Sequence, residues 1–112
     1  METIKSSAEI TRLFNKGLRQ SCPSVTILVA KSTREHDPSG RVAFIAGKKL
    51  GGAVWRNQAK RRLRAVCRDI GGPWPGFDVV FIARLATTQA SYSTVCKQCS
   101  NLIAQALGEC DE

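Results

Sequence analysis

Five consecutive apolar residues, Val79-Val80-Phe81-Ile82-Ala83, bounded by Asp78 and Arg84, constrain this chain more than any other segment. Alternate side chains of an extended strand leave opposite faces, so a run apolar at every position needs cover on both. The run predicts a central strand over 78–84, covered on both sides or on one side and by a cleft. With 112 residues, 43% of them hydrophobic, the chain has enough apolar material for one such core. These values predict a single domain over 1–112 and exclude a disordered chain.

Spacing places the other elements. Ser6-Ser7-Ala8-Glu9 is a capping-box pattern that opens a helix, with Ile10, Leu13 and Phe14 on one face and Gly17 ending it in a left-handed turn. Val25 to Lys31 and Arg41 to Ala46 are rich in strand formers; in the second, Val42, Phe44 and Ala46 alternate with Arg41, Ala43 and Ile45. Residues 32–40 read as a polar turn containing His36, the one histidine. From Ser91 to Leu107, Tyr92, Val95, Cys96, Cys99, Leu102, Ile103 and Ala106 mark an amphipathic helix that Gly108 stops. The fold class is α+β.

Charge is concentrated in one place. The chain carries 17 basic and nine acidic residues, a net charge of +8. Eight of the basic residues lie between Lys48 and Arg68, a stretch without Asp or Glu, so the rest of the chain is neutral. On a helical projection Trp55, Ala59, Leu63, Val66 and Ile70 share an arc of about 80°. Arg56, Asn57, Lys60, Arg61, Arg64 and Arg68 occupy the opposite arc, with Arg62 on the flank where its stem can follow the core edge. Arg56–Lys60, Lys60–Arg64 and Arg64–Arg68 are like-charge pairs four residues apart, each costing roughly 0.2–0.5 kcal/mol. An acid-free ridge of that kind points to a polyanion outside the chain. Lys48-Lys49-Leu50-Gly51-Gly52 before the helix suits a phosphate approach, but it is not a nucleotide-hydrolysing P-loop.

Other candidates carry less. Cys96-x-x-Cys99 is one pair where a zinc site needs four ligands, and both cysteines lie on the apolar side of their helix. No Ser/His/Asp or Cys/His constellation assembles, so a stand-alone catalyst is disfavoured. Trp55 reads as an anchor against the sheet; Trp74 reads as exposed or as a lid. Asp78, beginning its strand, is a candidate partner of Arg84 or of a metal. No apolar run is long enough for a membrane span, and residues 1–7 lack a signal-peptide core. The expectation is a soluble cytoplasmic protein with no membrane partner, in which disulfides are improbable despite five cysteines. Composition alone leaves open a general RNA-binding module such as a ribosomal protein.

The stretch Arg41-Val-Ala-Phe-Ile-Ala-Gly-Lys48-Lys49-Leu-Gly51-Gly-Ala-Val-Trp-Arg56-Asn57-Gln-Ala-Lys60-Arg61-Arg62-Leu-Arg64 resembles the signature of the bacterial ribonuclease P protein family. Asp78-Val-Val-Phe-Ile-Ala-Arg84 is similar to that family's next strand, and Phe14-Asn-Lys-Gly17 to its first helix and turn. The resemblance implies a two-layer α/β sandwich on a mixed sheet of about four strands, in the order α-β-β-β-α-β-α, with a left-handed β-α-β crossover. It also implies a short strand near Leu18 to Ser21. The implied function is that of a non-catalytic subunit of an endoribonuclease. Such a subunit binds the catalytic RNA and precursor tRNA while the RNA, with magnesium, removes the 5′ leader. By the same resemblance Lys48, Lys49, Arg56, Asn57, Lys60, Arg61 and Arg64 contact RNA, and Phe14 lines the cleft for the leader; the charged arc of the helix adds Arg68 to the RNA-binding set. The chain departs from the pattern at Gln58 (usually Arg), Gly52 (usually Asn), and Ile10 and Leu28 (usually aromatic).

Overall fold

A computed structural model of the chain describes residues 4, 7–31 and 40–110. Its elements are α1 (Ser7–Lys16), β1 (Leu18–Ser21), β2 (Val25–Lys31), β3 (Arg41–Ile45), α2 (Ala53–Asp69), β4 (Phe77–Ala83), α3 (Ala86–Gln89) and α4 (Tyr92–Cys110). The four strands form one sheet in the order β1-β2-β4-β3. The apolar run is interior, as its composition requires: β4 is antiparallel to β2 and parallel to β3, with Arg41 opposite Asp78 and Ile45 opposite Ile82. The strand expected at 18–21 is β1, paired with β2 from Leu18↔Val29 to Ser21↔Thr26.

Strand alternation sorts the core into two sides. On one, Val25, Ile27, Val29, Val42, Phe44, Val79 and Phe81 meet Ala59, Leu63 and Val66 of α2 and Val95, Cys99 and Leu102 of α4. The Phe44 and Phe81 rings stack there at 5.5 Å between centroids. On the other, Leu28, Ala43 and Val80 meet Leu13 of α1 and Ile4. The sandwich of α2 and α4 on the sheet therefore carries α1 across part of the opposite face. Each fully buried aliphatic or aromatic side chain contributes about 1.5–3 kcal/mol.

One polar network crosses the α1 face. Arg41 donates from Nε (3.1 Å) and Nη2 (2.9 Å) to the Asp78 carboxylate, and from Nη1 to Glu9 Oε2 (2.7 Å). Arg41 and Asp78 are buried, and register neighbours on parallel strands, so the fork meets its carboxylate across the ladder. The bond to Asp78, reinforced by Glu9, holds the Arg41 guanidinium well above its ordinary pKa and permanently charged. Asp78 is thus the partner of Arg41 and not of Arg84, which donates instead to the Cys22 carbonyl at 3.1 Å.

Three local expectations change. Gly17 does end α1, its amide bonded to Leu13 O at 2.8 Å, but not with a left-handed backbone. A Cβ there would lie 2.5 Å from Leu13 O and 3.4 Å from Val29 O, so the glycine permits a close pass of the chain over β2. Gly108 does not stop α4, which runs on to Cys110; glycine costs about 1 kcal/mol within a helix, and Gln20 bonding Glu109 at 2.9 Å ties the last turn to β1. The helix α3 was not expected, because Ala86-Thr-Thr-Gln89 has weak helix propensity; Thr87 builds it by accepting from Arg84 N (2.9 Å) and donating to Ser24 O (2.5 Å). Ser6 of the capping box and His36 with its turn lie outside the described residues.

Cys67 and Cys99 are buried in the core, while Cys22 and Cys96 are half-buried. Burial pushes the Cys67 thiol up to about 11 and the Cys99 thiol up to about 12. Because the thiolate is the nucleophile, an alkylating reagent at pH 8 is expected to modify Cys22 and Cys96 well before Cys67 and Cys99. Peptide mass spectrometry over a labelling time course checks this. Early modification of Cys99 would show that the α4 face of the core opens in the native protein.

Candidate nucleic-acid interface

The helix α2 is positioned by its apolar side. Ala59, Leu63, Val66 and Cys67 have no solvent exposure. Trp55 is half-buried against the same core and its Nε1 donates to Thr88 Oγ1 at 2.9 Å, so it is an anchor, as its place on the arc implied. Gly51 makes that anchor possible: a Cβ at this position would lie 2.9 Å from Trp55 Cβ. Gly52, at the N-cap, offers no side-chain cap, and the first turn of α2 holds no acid. The helix's positive end therefore adds to the charges of Lys48 and Lys49 rather than being neutralised internally.

The opposite side of α2 is open. Asn57, Arg61, Arg64 and Arg68 are exposed, Arg56 and Lys60 are partly so, and Lys48 and Lys49 stand exposed on the turn before the helix. All eight sequence-predicted residues thus lie along one helix and its leading turn. Among the described residues the ion pairs are those of Arg41, and none of these eight meets a carboxylate. Asp69, the one acid of α2, accepts from the Tyr92 hydroxyl, a bond that raises the pKa of the phenol. The Arg64 guanidinium lies 5.7 Å from the Phe44 ring centroid, which fixes it beside the edge strand β3.

Arg62 departs from its neighbours. It donates to Thr88 O at 3.1 Å and Ala90 O at 2.8 Å and lies 5.8 Å from the Tyr92 centroid. It clasps α2 to the end of α3 and the start of α4. Its flank position in the helical projection anticipated the inward stem, but not the carbonyls it would find.

Phe14 stands apart from this ridge. It is 47% exposed on α1, the helix that crosses the sheet face opposite α2. Leu28, one of the departures from the family pattern, is buried under α1; Ile10 packs half-buried beside it. Trp74 is half-buried, 6.1 Å from Phe81, and closes the end of the core as a lid. Arg84 was missed as a surface cation. Its signal lay in the strand pattern: β3 and β4 are parallel, so Arg84 emerges at the same end of the sheet as the Lys48-Lys49 turn.

A mixed four-stranded sheet backed by a helix with one buried side and one acid-free cationic side defines a small α+β protein with a basic helical face. The sequence model of the ribonuclease P family matches residues 1–107, and the chain belongs to that family. It is 34% identical over 90 residues to the ribonuclease P protein component of Syntrophomonas wolfei, across 80% of this chain and 73% of that protein. Against the corresponding component of Caulobacter vibrioides it is 53% identical over 55 residues, 47% of this chain and 37% of that one. A Staphylococcus aureus RNase P protein structure shares the fold, with a TM-score of 0.79 at 23% identity over 93% of this chain and 86% of that one. The chain is accordingly a protein component of a tRNA-processing ribonucleoprotein endoribonuclease.

Proposed function

We propose that the chain binds the ribonuclease P RNA through the ridge Lys48, Lys49, Arg56, Asn57, Lys60, Arg61, Arg64 and Arg68, and helps the complex hold precursor tRNA while the 5′ leader is removed. The observation that carries this reading is the acid-free exposed side of a helix whose other side is locked into the core. Spaced cations at fixed positions along a helix suit phosphates along an RNA backbone. Phosphodiester hydrolysis is assigned to the RNA and magnesium. The ridge from Lys48 to Arg68 carries no carboxylate that could hold a hard cation. The exposed Phe14 ring is assigned to the leader, whose unstacked bases gain about 1–3 kcal/mol from each aromatic platform.

Reconstitution tests the proposal. Ribonuclease P RNA at low magnesium, with and without this protein, is scored for 5′ leader removal from precursor tRNA. Stimulation by the protein is expected, with no cleavage by the protein alone. Phe14→Ala is expected to weaken precursor tRNA binding by about tenfold while leaving mature tRNA unaffected. Absence of stimulation would sink the subunit role, and equal effects on both tRNAs would reject the leader contact. Cleavage by the protein alone would move the chemistry to this chain.

A further inference from the structure

At the end of the sheet where β3 and β4 both emerge, an open cavity of about 360 Å³ is lined by Pro23, Leu50, Arg84, Leu85, Ala86 and Gln89. Leu50 and Leu85, both in that lining, are 38% and 49% exposed and so present apolar surface to whatever enters. The volume lies at the small end of the range of about 300–1,000 Å³ typical of ligand sites. Two polar side chains are among its lining: Gln89, whose amide can both donate and accept, and Arg84, whose guanidinium donates to the Cys22 carbonyl at 3.1 Å. Among the described residues no carboxylate lines the cavity. Lys48 and Lys49 immediately precede Leu50 on the same exposed turn.

Apolar walls, a planar cation and an amide, rimmed by lysines, match one chemical class: a nucleobase displaced from its stack, with its own phosphates on the lysines. Aliphatic walls and a guanidinium plane hold the faces of an unstacked base, and an amide reads its edge. A peptide strand would find neither an acid nor an open sheet edge in this lining. We infer that this cavity receives a single unstacked base of the ribonuclease P RNA, adding base readout to the phosphate contacts of α2. The inference rests on the RNA-binding reading above and deepens it, since the ridge supplies charge and the cavity supplies position.

The two kinds of contact separate in salt. Leu85→Ala is expected to weaken binding of the full ribonuclease P RNA by about five- to tenfold, with no change in the slope of log affinity against log salt. Lys48→Ala is expected to lower that slope by about one unit. Dimethyl sulfate probing of the bound RNA is expected to show one base protected by the unaltered protein and reactive with Leu85→Ala, while hydroxyl-radical protection of the backbone persists. Gln89→Leu is expected to reproduce that change, and a normal Tm for each variant excludes misfolding. Identical base protection with all proteins would overturn the cavity assignment and leave the ridge standing. Failure of the unaltered protein to protect the RNA at all would overturn both.

Discussion

Simultaneous replacement of Arg56, Lys60 and Arg64 by alanine is expected to weaken binding to the ribonuclease P RNA on the order of a hundredfold at about 0.15 M salt. The slope of log affinity against log salt should fall by about two to three units. The size follows from the loss of three charge-assisted contacts worth about 1 kcal/mol each, since tenfold in affinity is about 1.4 kcal/mol. The same change should leave stability nearly intact. It removes three like-charge pairs, each worth roughly 0.2–0.5 kcal/mol, and alanine favours the helix; loss of the Arg64–Phe44 contact offsets part of that gain. Salt-dependent binding isotherms together with a thermal melt check both halves. An unchanged slope would place the interface elsewhere, and a collapsed melt would trace the lost binding to the fold.

Asp78→Ala should be the most damaging single substitution on the α1 side. It leaves the Arg41 guanidinium, 3% exposed, with Glu9 as its one remaining carboxylate partner among the described ion pairs. Removing one member of a buried pair typically costs about 3–5 kcal/mol, because the surviving charge stays desolvated. For a chain of this length that corresponds to a fall in Tm of about ten degrees or more. Glu9→Gln should cost about 1 kcal/mol or less, since Glu9 is one-third exposed and the amide retains an acceptor. Thermal unfolding of both variants measures the contrast. Equal losses would mean that Arg41 holds α1 to the sheet chiefly through Glu9.

The parts of this fold that were legible in the sequence are those where a local period coincides with burial. Val79 to Ala83 is apolar at every position and lies inside the sheet; Trp55, Ala59, Leu63 and Val66 share an arc and meet the core. The ridge was legible for the same reason, because burial of one side of α2 dictates what the other presents. What escaped notice depends on residues distant in sequence. Arg41 and Asp78 are 37 positions apart and meet through parallel register, which no window of sequence contains. The helix α3 rests on a bond from Thr87 to Ser24, 63 positions away, and the cavity beside it assembles Pro23, Leu50 and Leu85 from three separate connections. Gly108 misled because a glycine near a helix end is a frequent stop, and here the last turn is held from outside by Gln20. The separation of Phe14 from α2 is likewise topological, since two elements covering opposite faces of a sheet carry no mark of it in their own residues.

The clasp formed by Arg62 has a consequence for the thermodynamics of association. Its two carbonyl acceptors lie beyond the C-terminal end of β4, on a segment that the core already fixes, so α2 is braced along its length before any partner arrives. The ordering still required is then confined to the outer bonds of a few long side chains, roughly 0.5–1.5 kcal/mol for each one immobilised, with no backbone to arrange. A charged loop of the same composition would forfeit much of its attraction to chain entropy. Turning one arginine of the helix inward makes its neighbours a preorganised array, so that their spacing, as well as their number, can select a partner.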